Sequence, residues 1–272
     1  MRIAFIGFGE VGQRFSKDLL ARPHLRIAAF DIKFDPARPS PNEKAADALG
    51  VRAAPSAAAA ADGADFVFSA VTADVAEAVA MEAAGYLAKG QLFLDLNSAS
   101  PNTKRRAAGA VEGSGARYVE CAVMAPVAAP GIAVPILAGG TAAEGAALQL
   151  NALGMNITAV ATEVGKASAM KLCRSIMIKG IEALIGDCAR SARRWGVERE
   201  VYGSLAQTFP GTDWAALAET MAGRVRQHGV RRAAEMREAA QMVAELGVDE
   251  SLCLAVADAQ LRGAAKGSGT DA

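Results

Sequence analysis

Histidine is nearly missing from this chain of 272 residues, which has 2, and none of its 4 cysteines belongs to a C-x-x-C pair. His24, His228, Cys121, Cys173, Cys188 and Cys253 are too few and too scattered for a zinc site or a disulfide framework, so no metal ligand is assigned. The chain also lacks charge of either sign in excess, with 29 Lys and Arg against 29 Asp and Glu. No net field draws it to nucleic acid or to an anionic membrane, and a small molecule is the expected partner.

No secretory leader is expected either, because "MRIAFIGFG" has no basic segment followed by a longer apolar run and a cleavage site. The expected location is cytoplasmic. The uncharged run from Cys121 to Ala143 has the length of a membrane span. However, Pro126, Pro130 and Pro135 with Gly131, Gly139 and Gly140 break it into strand and loop.

What the first half does contain is a set of short apolar runs separated by helix-sized intervals: Arg2 to Gly7, Arg26 to Asp31, Asp65 to Val71, Leu92 to Asn97 and Tyr118 to Val123. Runs apolar at successive positions predict parallel strands buried on both faces, the pattern of a doubly wound α/β sheet. "SAAAAADGAD" between two of them reads as a helix ended by Gly63, since alanine has the best helix propensity. From about Glu163 helical segments dominate, with helices expected over Lys166 to Trp195, Trp214 to His228 and Val230 to Leu246. The expected organisation is an α/β Rossmann domain over 1–162, an all-helical domain over 163–264 entered by a long helix, and a disordered tail over 265–272.

"RIAFIGFGEVGQRF" places G-x-G-x-x-G at Gly7, Gly9 and Gly12 between the first strand and a helix. Gly7 serves the tight turn, Gly9 lets a pyrophosphate approach the backbone, and Gly12 allows close helix–strand packing. A second strand ends in Asp31, 31 − 12 = 19 positions after the last glycine, where a carboxylate accepts ribose hydroxyls. Phe8, Glu10, Val11, Ile32 and Lys33 complete the expected nucleotide contacts, joined by Val71, Thr72 and Asn97 at the ends of the next strands. A carboxylate at Asp31 repels a ribose phosphate and favours NAD over NADP, although Lys33 can approach such a phosphate.

This loop, "FLDLNSASPNTKRRAA", "ECAVMAPVAAPGIAVPILAGG" and the helix "VGKASAMKLCRSIMIKGIEALIG", in this order, resemble the β-hydroxyacid dehydrogenase superfamily of 3-hydroxyisobutyrate, tartronate semialdehyde and 6-phosphogluconate enzymes. The likeness is greatest to the branch with a divergent C-terminal domain. It implies NAD(P)-linked hydride transfer at a hydroxyl or carbonyl group of a small organic acid or related alcohol. It also implies a homodimer. The family's catalytic lysine opens a K-x-x-N-N or K-x-x-H-N pattern, and Lys171 matches it, with Arg174 and Ser175 at the polar pair. Near a helix N-terminus the macrodipole and partial burial both disfavour the ammonium, which suits a general acid and base. Ser175 at i+4 shares its face. Lys166 and Lys179 read as surface or structural.

Ser98 matches the family serine near substrate, while Ser98 or Ser100 can instead cap a helix with Pro101 at its first position. Met124, Ala125 and Pro126 replace a substrate-binding stretch with a serine hydroxyl, a donor that a thioether cannot supply. The family's Lys-Asp pair falls on Ala234 and Glu235. Arg231 and Arg232, beside His228, either restore an anion contact or form a solvated face with pairs such as Arg231–Glu235. An imine reductase and a non-catalytic NAD-binding protein are the competing readings. Short-chain dehydrogenase chemistry is excluded, since Gly90, Ala122 and Ala206 stand four residues after Tyr86, Tyr118 and Tyr202 in place of its lysine.

Overall fold

The computed structural model describes residues 1–35, 37 and 40–265. Eight strands, β1 (Arg2–Ile6), β2 (Arg26–Phe30), β3 (Arg52–Ala53), β4 (Phe66–Ser69), β5 (Leu92–Asp95), β6 (Arg117–Val123), β7 (Pro135–Gly139) and β8 (Asn156–Ala161), form one sheet in the order β3-β2-β1-β4-β5-β6-β7-β8. All neighbours run parallel except β6 and β7, which are antiparallel. Alternation along the strands fills both faces: Ile3 and Phe5 enter one apolar cluster, and Ala4 and Ile6 enter the other. That two-sided burial is why the strands read as unbroken apolar runs.

The helices of this part are α1 (Glu10–Leu20), α2 (Pro41–Leu49), α3 (Ala57–Ala61), α4 (Ala76–Ala84), α5 (Pro101–Gly113) and α6 (Ala143–Asn151). The alanine run is α3, capped by Ser56 Oγ accepting from the Ala59 amide. Strand order turns away in both directions from β1, with β2 on one side and β4 on the other. The carboxyl end of β1 therefore faces the crevice where doubly wound sheets take ligands.

The remaining helices are α7 (Lys166–Trp195), α8 (Glu198–Thr208), α9 (Trp214–Glu245) and α10 (Ser251–Ala265). The chain divides into compact units Met1–Lys171 and Leu172–Ala272, so the start of α7 groups with the sheet and the rest of it with the helices that follow. The fully buried Glu120 of β6 accepts the Gly165 and Ser168 amides at 2.7 Å each, tying the first turn of α7 to the sheet. Ala265 still belongs to α10, and the rest of the expected tail lies outside the described residues.

One expected break is overturned. Residues 214–228 and 230–246 are not separate helices, because α9 runs straight through Gly229. A Cβ at Gly229 would lie 2.4 Å from the Gln260 carbonyl oxygen and 2.8 Å from Ala264 Cβ, so this glycine serves the close approach of α9 and α10. His228 accordingly sits mid-helix and exposed, not at a helix C-terminus.

Gly229→Ala separates these two roles. Alanine is the better helix former by about 1 kcal/mol, yet the contact predicts net destabilisation, with overpacking costing about 1–3 kcal/mol. Denaturant unfolding followed by circular dichroism reads the sign, and stabilisation would contradict the packing role.

Candidate active site

The glycine loop follows β1 directly. Gly7 has φ +91°, and a Cβ there would meet the Ala70 carbonyl oxygen at 2.4 Å; one at Gly12 would meet the Gly7 carbonyl at 2.7 Å. Gly9 differs, because a Cβ there would have no neighbour within 4 Å. Gly7 and Gly12 thus answer to packing, while Gly9 borders open space at the start of α1, where no side chain caps the helix. Phe8 is buried, edge-on to Phe34, with ring centroids 6.1 Å apart.

Asp31 closes β2 and is nearly buried. Its Oδ2 accepts the Phe8 amide at 2.7 Å and Asn42 Nδ2 at 3.4 Å, and its Oδ1 accepts the Lys33 amide at 2.9 Å. The acid of the second strand thus braces the glycine loop itself. Ile32 beside it is 89% exposed, and Glu10, Val11 and Lys33 are at least partly exposed around the same turn.

At the carboxyl end of β5 the pivotal group is Asp95, 1% exposed in an apolar strand. Its Oδ1 faces Lys104 Nζ at 2.8 Å and accepts the Asn97 amide at 2.9 Å and Asn97 Nδ2 at 2.7 Å; its Oδ2 accepts Tyr118 OH at 2.6 Å. Lys104 Nζ also donates to the Asp95 carbonyl at 3.0 Å. Burial, with the Asp95 carboxylate beside it, pushes the Tyr118 phenol well above its ordinary pKa, so it stays a proton donor.

Asn97 relays this arrangement. Its Oδ1 accepts the Val71 amide at 2.7 Å, and its Nδ2 reaches Ser69 Oγ at 3.0 Å, so its side chain ties the end of β5 to the end of β4. Ser100 is the residue that caps α5, accepting the Thr103 amide at 3.3 Å with Pro101 behind it. That leaves Ser98, half-buried, whose Oγ accepts from Lys171 Nζ. The lysine and serine singled out separately in the sequence, 73 positions apart, meet here.

Met124, Ala125 and Pro126 follow β6, which pairs in parallel with β5, so they begin at the same edge of the sheet as Ser98. Ala125 and Pro126 are exposed, and Thr72 is exposed after β4. Neither Ala125 nor Pro126 offers a side-chain hydrogen-bond donor.

In the helical unit Arg174 is exposed and Ser175 is buried. Ser175 Oγ accepts from Lys179 Nζ at 3.0 Å, and Lys179 Nζ pairs with Glu235 at 2.7 Å. Of the two readings of Lys179, surface or structural, the second holds: it is buried, with Ser175 one turn away on α7 and Glu235 across on α9. Burial lowers its pKa and the Glu235 carboxylate opposes that shift. Arg231 pairs with Glu235 at 2.6 Å, the i,i+4 alternative, and Arg232 pairs with the buried Glu182.

The sequence reading missed Asp95, Lys104, Tyr118 and Glu120. The available signal was an acid inside each of two apolar strands, "LFLDLN" and "YVECAV", which requires buried partners. Among the described residues no group of three or more His, Cys, Asp or Glu could hold a metal ion, and no helix is long and apolar enough to cross a membrane.

Comparison with known proteins places this geometry. The NAD binding domain of 6-phosphogluconate dehydrogenase matches residues 2–162, and a domain of unknown function, DUF1932, matches 192–262. A conserved hypothetical protein from Sinorhizobium meliloti 1021 is 41% identical, with a TM-score of 0.86 over 100% of this chain and 91% of that one. The mitochondrial 3-hydroxyisobutyrate dehydrogenase of Drosophila melanogaster is 26% identical over 219 residues, 79% of this chain and 65% of that enzyme. The Aspergillus terreus reductive aminase, solved with NADPH and ethyl levulinate, shares the fold at a TM-score of 0.60 and 19% identity, over 98% of this chain and 95% of that one.

Lys104→Met leaves the Asp95 carboxylate buried without its cation. Stability is expected to fall by roughly 3–5 kcal/mol, the usual cost of breaking one side of a buried pair. Urea unfolding measures it, and an unchanged midpoint would mean that water reaches Asp95.

Proposed function

Because the chain belongs to the β-hydroxyacid dehydrogenase superfamily, carrying its NAD-binding domain followed by a DUF1932 domain, we propose that it is an NAD(P)-dependent oxidoreductase of a hydroxyl or carbonyl group, with Lys171 as general acid and base. The substrate is a small organic acid or related alcohol. The observation that carries this reading is the bond from Lys171 Nζ to Ser98 Oγ at the carboxyl end of β5.

The residues present fit a dinucleotide. Gly9 borders open space at an uncapped helix start, where first-turn amides and the helix dipole favour a pyrophosphate. Asp31 Oδ1 accepts only the Lys33 amide among the described hydrogen bonds and keeps a lone pair for a ribose hydroxyl. A buried carboxylate at that position repels a 2′-phosphate, so NAD is the favoured cofactor. When bound, the nicotinamide ring gives or takes the hydride.

The chain's own contribution is positioning and proton transfer. In the reducing direction Lys171 protonates the oxygen of the substrate carbonyl; in the oxidising direction its neutral amine takes the hydroxyl proton. Ser98 Oγ, accepting from Nζ, holds the amine in place. Asn97 fixes the backbone on which Ser98 is carried. Ala125 and Pro126, without donors, suit a substrate with an apolar portion at the β6 edge.

That apolar edge also favours a second reading, reduction of an imine, in which Lys171 protonates nitrogen. Dependence of turnover on an added amine separates the two.

Wild type and Lys171→Met are compared by reduced-nicotinamide absorbance over a panel of β-hydroxy acids, substituted diols and carbonyl–amine pairs. The substitution is expected to lower turnover by about 10²–10⁴-fold and leave the NAD dissociation constant unchanged. Retained turnover would remove Lys171 from the chemistry, and a dissociation constant lower for NADP than for NAD would overturn the cofactor preference.

A further inference from the structure

The helical unit contains a cavity of about 290 Å³, close to the lower bound of about 300 Å³ typical of small-molecule pockets. It is formed by α7, α8, α9 and α10 and lies wholly within Leu172–Ala272. The residues that hold the hydride-transfer groups do not line it. Two fully buried side chains do, Glu182 and Gln260, at 1% and 0% exposure.

Both carry an oxygen with no hydrogen-bond partner among the described residues, Glu182 Oε1 and Gln260 Oε1. Their other atoms are committed. Glu182 Oε2 pairs with Arg232 and accepts Gln260 Nε2 at 3.4 Å, and Gln260 Nε2 also reaches the Lys179 carbonyl at 3.3 Å. Arg224 Nη1 stands 4.0 Å from Glu182 Oε1, outside hydrogen-bond reach. An acceptor buried without a donor is costly, and a carboxylate oxygen more so than an amide.

The charged rim does not compete for these oxygens. Arg193 pairs with Glu198 at 3.2 Å, Arg226 with Glu219 at 3.0 Å, and Arg190 with Asp187. With its cations matched one for one by carboxylates, the rim offers an anion no unpaired partner. The unmet requirement is for donors at the floor. Ala183, Ala218, Ala222 and Val225 supply small apolar wall between floor and rim.

From these observations we infer that the cavity is a ligand site separate from the hydride-transfer site, taking a small primary amine in its protonated form. The ammonium meets Glu182 Oε1 and Gln260 Oε1, and a compact apolar body lies against the alanine wall. A primary ammonium has three donors, enough for both oxygens, and the Glu182 charge strengthens its bond.

Calorimetric titration of the full chain with cyclohexylammonium chloride tests this, with cyclohexanol and cyclohexanecarboxylate as the neutral and anionic probes. One ammonium is expected to bind per chain, with the alcohol weaker by about tenfold or more and the carboxylate not bound. Ala222→Phe fills the wall without touching the ion pairs and is expected to abolish binding while leaving the circular dichroism spectrum unchanged. Glu182→Gln is expected to remove the preference for ammonium over alcohol. No ammonium binding, equal binding of alcohol, preferential binding of carboxylate, or binding that survives Ala222→Phe overturns the assignment.

Discussion

A carboxylate buried in a strand forces its surroundings to supply every partner it needs, and Asp95 imposes that demand at the end of β5. Lys104 comes from the fourth position after the Ser100 cap of α5, Tyr118 from β6, and Asn97 from the turn itself. Each partner fixes one neighbouring element. Such a pair adds little net stability over apolar residues of equal volume, because desolvation offsets the attraction. Its consequence here is geometric: the chain after Asp95 has one way to leave the sheet.

That exit path carries Asn97 to Val71 and Ser98 to Lys171. A second buried acid, Glu120 on the adjacent strand, holds the start of α7 by two amides, and Lys171 is on the second turn from it. Two strand-borne carboxylates therefore set the two ends of the Ser98–Lys171 contact. A third, Asp31, braces the glycine loop through the Phe8 amide. All three lie on the parallel part of the sheet, with Asp31 and Asp95 at strand carboxyl ends, where such folds take ligands.

The strands β1, β2, β4, β5 and β6 were legible because two-sided burial makes them unbroken apolar runs. The two edge strands, β3 and β8, were not, since Arg52–Ala53 spans two residues and Asn156–Ala161 is half exposed, and β7 lay inside a run read only as strand and loop. Gly9, Asp31, Ser98 and Lys171 were singled out from spacing and family resemblance together, and the fold brings the last two into one hydrogen bond. For Lys179 the choice between surface and structural could not be made in one dimension, because its partners, Ser175 and Glu235, come together only when α7 packs on α9. Gly229 was misread for the same reason: a glycine that breaks a helix and one that admits a neighbouring helix look alike in one dimension.

The most direct test is a crystal structure of the full chain soaked with NAD. The pyrophosphate is predicted over Gly9 and the first turn of α1, a ribose hydroxyl on Asp31, and the nicotinamide beside Ser98 and Lys171. A dinucleotide bound with its nicotinamide directed away from Lys171 would contradict the account.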